Sequence, residues 1–161
     1  MITFHTLSND VVVHQHTAEE NAVNVYLIET LKQVVATDAT SLLLDARDLR
    51  ATLDEIGKPF AGVFITHPQD HVNGISVLRG SSEAPVFATE SVDTTFREIE
   101  PRDRELWQPR YGNEYPAEIT FSTDPVAANG RVSLGGVSSG RVRVPLRAGR
   151  REFRTYPSPV R

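Results

Sequence analysis

At 161 residues the chain is long enough for one domain with its own core. Its 39% of apolar residues suits a globular protein, and no apolar run approaches the roughly eighteen residues that a membrane-spanning helix needs. The sequence contains no cysteine, which excludes disulfides, thiol catalysis and cysteine-ligated zinc and leaves His, Asp and Glu as the strong metal ligands.

The net charge of −4 hides an asymmetry. Residues 1–137 carry a balance of −10, whereas residues 138–161 hold seven arginines against Glu152, a balance of +6. That tail has no aromatic interleaving beyond Phe153 and Tyr156 and no recognisable nucleic-acid module, so no nucleic-acid partner is expected. The opening Met1-Ile2-Thr3-Phe4-His5 lacks a basic region followed by an apolar run, so a cytoplasmic location is expected and no membrane partner.

In chain order, Val11-Val12-Val13 and Asn24-Val25-Tyr26-Leu27-Ile28 read as strands, being short β-branched or apolar runs between polar residues. A third strand spans Gln33 to Thr37, and Asp38 follows at its C-terminal end. Leu42, Ala46, Leu49, Leu53 and Ile56 share one helix face, with Ser41 as the expected N-cap and Gly57-Lys58-Pro59 as the stop. Ala61 to Ile65 is a continuous apolar run, as in a strand buried on both faces, and it leads into Thr66-His67-Pro68-Gln69-Asp70-His71. A short helix is expected after Asn73-Gly74 and a buried strand over Pro85 to Thr89. Residues 91–107 read as a second helix interrupted at Pro101, residues 108–118 as a surface loop, and strands are expected near 119–122 and 131–134, with Asn129-Gly130 as the turn. Strands alternating with helices imply a layered α/β domain over residues 1–137, followed by an irregular arginine-rich tail over 138–161.

His67, Asp70 and His71 sit where a buried strand ends, the position at which open α/β sheets place ligands. Imidazole and carboxylate suit zinc and related divalent ions, although the spacing also fits a polar loop whose histidines bond to the backbone. His14 and His16 share one strand face, where exposed histidines ordinarily have no special role. Trp107, Tyr111 and Tyr115 are either a pocket wall or packing.

The run from Val63 to Gly74 resembles the signature loop of the metallo-β-lactamase superfamily, Thr-His-x-His-x-Asp-His followed by a small residue and Gly. Asn24 to Glu29, Val34 to Ala39, the Gly57-Lys58-Pro59 stop and Pro85 to Thr89 follow that family's order of elements, so residues 23–90 are covered. The resemblance implies the first half of an αββα sandwich and metal-assisted hydrolysis of a small-molecule ester, thioester or amide. It assigns His67, Asp70 and His71 as ligands to zinc (one or two divalent ions), Asp70 also as the catalytic residue that positions the attacking water, and Asp38 as a structural residue beside the site. Two departures accompany it. Only Pro68 and Gln69 separate His67 from Asp70, so the motif is one residue short and lacks its second His, and no histidine follows His71. The alternative expectation is therefore a catalytically inactive, truncated homologue with an incomplete metal site. Half a sandwich exposes an apolar sheet face, so a homo-oligomer covering that face is a further expectation.

Overall fold

A computed structural model describes residues 2–8, 10–18, 22–127 and 132. The expected strand and turn over 129–134 and the arginine-rich tail lie outside the described residues, Val132 apart.

One seven-stranded mixed sheet organises the molecule, with its strands side by side in chain order. β1 (Ile2–Ser8), β2 (Val11–Thr17), β3 (Asn24–Thr30) and β4 (Val34–Thr37) pair antiparallel, while β5 (Phe60–Ile65), β6 (Val86–Thr89) and β7 (Asp124–Val126) continue the sheet in parallel. Each parallel step needs a crossover, supplied in turn by α1 (Leu43–Ile56), α2 (Ile75–Arg79) and α3 (Glu90–Tyr111). Leu27, Ala36, Val63 and Val86 are register partners across four strands, and all four are fully buried. Leu49 and Leu53 of α1, Ile75 and Leu78 of α2 and Phe96 of α3 join that row in one core. Burying a leucine of this kind contributes about 1.5–3 kcal/mol. The neighbouring row, Tyr26, Thr37, Phe64 and Phe87, points to the other face and is half-buried.

The α1 pattern read from the sequence is present, and Gly57 closes the helix in the left-handed region at φ 67°. Ser41 does not cap it. Leu42 occupies the N-cap without a side-chain bond, and the Ser41 hydroxyl instead donates to the Asp70 carbonyl at 2.9 Å.

Other expectations are corrected, and one strand was not read at all. Pro101 does not interrupt the second helix: α3 runs unbroken through Pro101 and Pro109 to Tyr111, so the loop foreseen from 108 begins only after it. Each proline forfeits one backbone bond, but the Thr89 hydroxyl caps the start at Val92 N, the pair Asp93–Arg97 braces the turn before Pro101, and Glu100–Arg104 spans it. Residues 119–122 form no strand; Ile119 and Phe121 pack on the core, and β7 starts two residues later. β1, too polar to register in the sequence pattern, pairs with β2 at the sheet edge.

Among the described residues no helix is long and apolar enough to cross a membrane.

Candidate metal centre and adjoining cavity

The candidate loop leaves β5 at Thr66 and is tied to the segment that leaves β4. Asp38 N donates to the Phe64 carbonyl at 2.8 Å, and the Asp38 carboxylate accepts from Thr66 N at 2.7 Å and from the Thr66 hydroxyl at 2.6 Å. Further along, Ala39 N donates to the His71 carbonyl at 2.6 Å, Gly74 N to the Thr40 carbonyl at 3.0 Å and Asn73 Nδ2 to the Ser41 carbonyl at 2.9 Å. Residues 38–41 thus form a template along which 66–74 is laid. Asp38 and Asp70 both hold the left-handed region, at φ 63° and 47°, a conformation that Asp tolerates better than most residues. The structural role expected of Asp38 is what the bonds display.

The close approach requires Gly74. A Cβ there lies 2.7 Å from both the Ala46 Cβ and the Thr40 Oγ1, closer than real side chains come.

His67 and His71 come together, with ring centroids 5.3 Å apart and planes tilted by 51°. His67 Nδ1 accepts from Gln69 N at 3.2 Å. His71 Nδ1 stands 3.2 Å from Asp38 Oδ2, close enough for an ion pair but without hydrogen-bond alignment. Asp70 lies within electrostatic reach of both imidazoles; burial pushes its carboxyl above the ordinary range, and the two histidines oppose that rise. Yet among the described residues no three His, Asp or Glu side chains are grouped to hold one ion. The donor set as it stands does not fit a complete zinc site, which needs three or four convergent ligands.

The aromatic candidates have a clear place. A cavity of about 310 Å³ lies between the loop and α3, lined by Asp70 on one side and by Asp103, Trp107, Tyr111 and Tyr115 on the other. Trp107 and Tyr111 stack with centroids 5.9 Å apart, and Arg110 lies over both rings. Gln69 turns to this wall and donates to Asp103 Oδ2 at 3.4 Å. Burial raises the Asp103 carboxyl, the nearby Asp70 charge adds to the rise, and the Gln69 bond opposes it. Burial also pushes the Tyr115 hydroxyl up to about 12, with the Asp103 charge contributing.

Asp103 was not legible as a site residue. The only available signal was the four-residue spacing of Asp103, Trp107 and Tyr111, which shares one face only if the helix continues past 107 and through Pro109.

His14 and His16 differ from the expectation of exposed strand histidines. His16 is 2% exposed, with its Nε2 3.4 Å from Asp45 Oδ1, and His14 Nε2 pairs with Glu29 Oε2 at 2.7 Å.

No family model and no curated protein matches the sequence. Solved structures do. The B3 metallo-β-lactamase BLEG-1 superimposes with a TM-score of 0.58 at 16% identity, over 75% of this chain and 56% of its own. The metallo-β-lactamase from Pontibacter korlensis gives 0.54 at 14% identity, over 84% and 57%, and that from Hirschia baltica 0.52 at 14%, over 82% and 56%. The chain thus spans little more than half the length of these structures, and over that part it has the metallo-β-lactamase fold.

Proposed function

We propose that this is a hydrolase-like protein of metallo-β-lactamase fold with a small-molecule cavity at its candidate site and an incomplete zinc centre of its own. His67, Asp70 and His71 would be part of such a centre. The observation that carries this reading is the disposition of the two imidazoles. Their ring centroids lie 5.3 Å apart, and among the described residues Asp70 does not join them as a third convergent donor. Beside them the cavity has the size of a small-ligand site, which typically begins at about 300 Å³. The half-buried row Tyr26, Thr37, Phe64 and Phe87 is the face on which a second copy of the chain would pack.

A second reading is metal-assisted hydrolysis of an ester, thioester or amide, with zinc held by His67, Asp70 and His71 and Asp70 positioning the water. It is favoured by one observation: Asp38 stands behind His71 at 3.2 Å, the carboxylate–histidine arrangement that commonly orients a metal-binding imidazole. When bound, a divalent ion would supply hydroxide near neutral pH.

Metal analysis of protein purified without chelators separates the two, run beside hydrolysis assays on esters, thioesters and amides. Sub-stoichiometric zinc, unchanged in an Asp70→Ala, His71→Ala variant, and no turnover is the expected outcome. One zinc per chain with turnover, both lost in that variant, overturns the first reading in favour of the second.

A further inference from the structure

The cavity beside the loop has a chemical character of its own. Its two carboxylates come from different elements, Asp70 from the loop after β5 and Asp103 from the middle of α3, and both line the void. Both side chains are half-buried, and among the described residues neither lies within 4.0 Å of a lysine or arginine nitrogen. The only hydrogen bond to either carboxylate among those residues is the 3.4 Å contact from the Gln69 amide to Asp103. Of the arginines of α3, Arg97 pairs with Asp93 and Arg104 with Glu100, while Arg102 acts on Asp103 through its charge without forming an ion pair with it. Arg110 also lines the cavity, with its guanidinium over the Trp107 and Tyr111 rings. Two like charges removed from water and facing one void are costly unless a cation compensates them.

Four aromatic side chains share the wall with them. Phe96, Trp107, Tyr111 and Tyr115 all line the void, and Phe96 and Tyr115 are buried. Ring faces of this kind attract cations as well as apolar surface.

We propose that this cavity binds a small organic cation, an ammonium group carried on a flat apolar body. The ammonium lies between Asp70 and Asp103, and the body lies along Trp107, Tyr111 and Tyr115. This assignment rests on the reading of the cavity as the ligand site and names the class of ligand it takes.

Trp107 is the single tryptophan of the chain, so its fluorescence reports occupancy directly. Benzylammonium, benzyl alcohol and benzoate share a ring and differ in charge. Titrated at neutral pH against the full chain, benzylammonium is expected to give a saturable fluorescence change at a Kd about tenfold below that of benzyl alcohol, as one charge-assisted contact implies. Asp103→Asn is expected to erase most of that preference, and Asp103→Glu to keep it, with circular dichroism verifying that both fold. Benzoate or benzyl alcohol binding as tightly as benzylammonium overturns the cation assignment and leaves the cavity as a ligand site. An undiminished preference in Asp103→Asn also overturns it. No saturable change with any of the three overturns the reading of the cavity as a small-molecule site together with the assignment.

Discussion

The Asp38 carboxylate takes up both polar hydrogens of Thr66, the backbone N–H at 2.7 Å and the hydroxyl at 2.6 Å. Two charge-assisted bonds in parallel pin the end of β5 to the end of β4, and the loop bearing His67, Asp70 and His71 departs from that pin. The position of every candidate donor therefore depends on a residue that need not touch a ligand.

Asp38→Ala should destabilise the protein by about 2–3 kcal/mol, the usual cost of losing a buried charged acceptor. Asp38→Asn, which keeps an oxygen for Thr66 N, should cost clearly less. Urea denaturation measures both, and an Asp38→Ala variant within about 0.5 kcal/mol of the parent, the ordinary range of surface changes, would disprove the clamp.

Gly74→Ala tests the fit of the loop on its template. The added methyl meets Ala46 Cβ and Thr40 Oγ1 at 2.7 Å and the Thr40 backbone nitrogen at 3.0 Å. Neither neighbour is a flexible side-chain end, so the loop must shift, at about 1–3 kcal/mol for overpacking. Thermal unfolding should show a lower Tm; an unchanged one contradicts the close approach.

Acid stability should depend on Glu29. Its carboxylate receives Lys58 Nζ at 2.7 Å and pairs with His14 Nε2 at 2.7 Å, and these contacts, Lys58 first, hold its pKa below the ordinary 4.5. A lowered folded pKa gives stability that is present above 4.5 and is lost as pH falls from there through the folded value. Glu29→Gln should accordingly narrow its stability deficit relative to the parent as pH falls below 4.5. A deficit independent of pH between neutrality and pH 3 refutes the pairing.

Tyr115 makes the opposite prediction at alkaline pH. Burial raises its hydroxyl from 10.0 to about 12, so the folded protein keeps that proton after the unfolded chain has released it. The stability this confers is intact below pH 10.0 and drains away as pH rises toward about 12. Ultraviolet titration should show a late phenolate step that Tyr115→Phe removes; a complete titration finished well before pH 12 counts against it.

The amino-acid order by itself determined the strands over 11–13, 24–28, 33–37, 61–65 and 85–89 and the helix over 43–56, because their apolar residues recur at a period of two, without a break, or at 3.6. It also placed the candidate loop at the end of β5, since a buried strand running into His and Asp is a local pattern. What it could not supply was anything resting on distant partners. α3 continues through Pro101 with Phe96 packed in the core and Arg104 donating to the Pro116 and Ala117 carbonyls, β1 is a strand because β2 offers it an edge, and Ser41 bonds to Asp70 rather than to its own helix. The cavity joins Asp70 to Asp103 across 33 positions of sequence, and its two-carboxylate, aromatic character exists only once α3 lies over the loop. Local periodicity fixes elements because each residue's burial follows from its near neighbours. A site assembled from two elements is fixed only by the packing that brings them face to face.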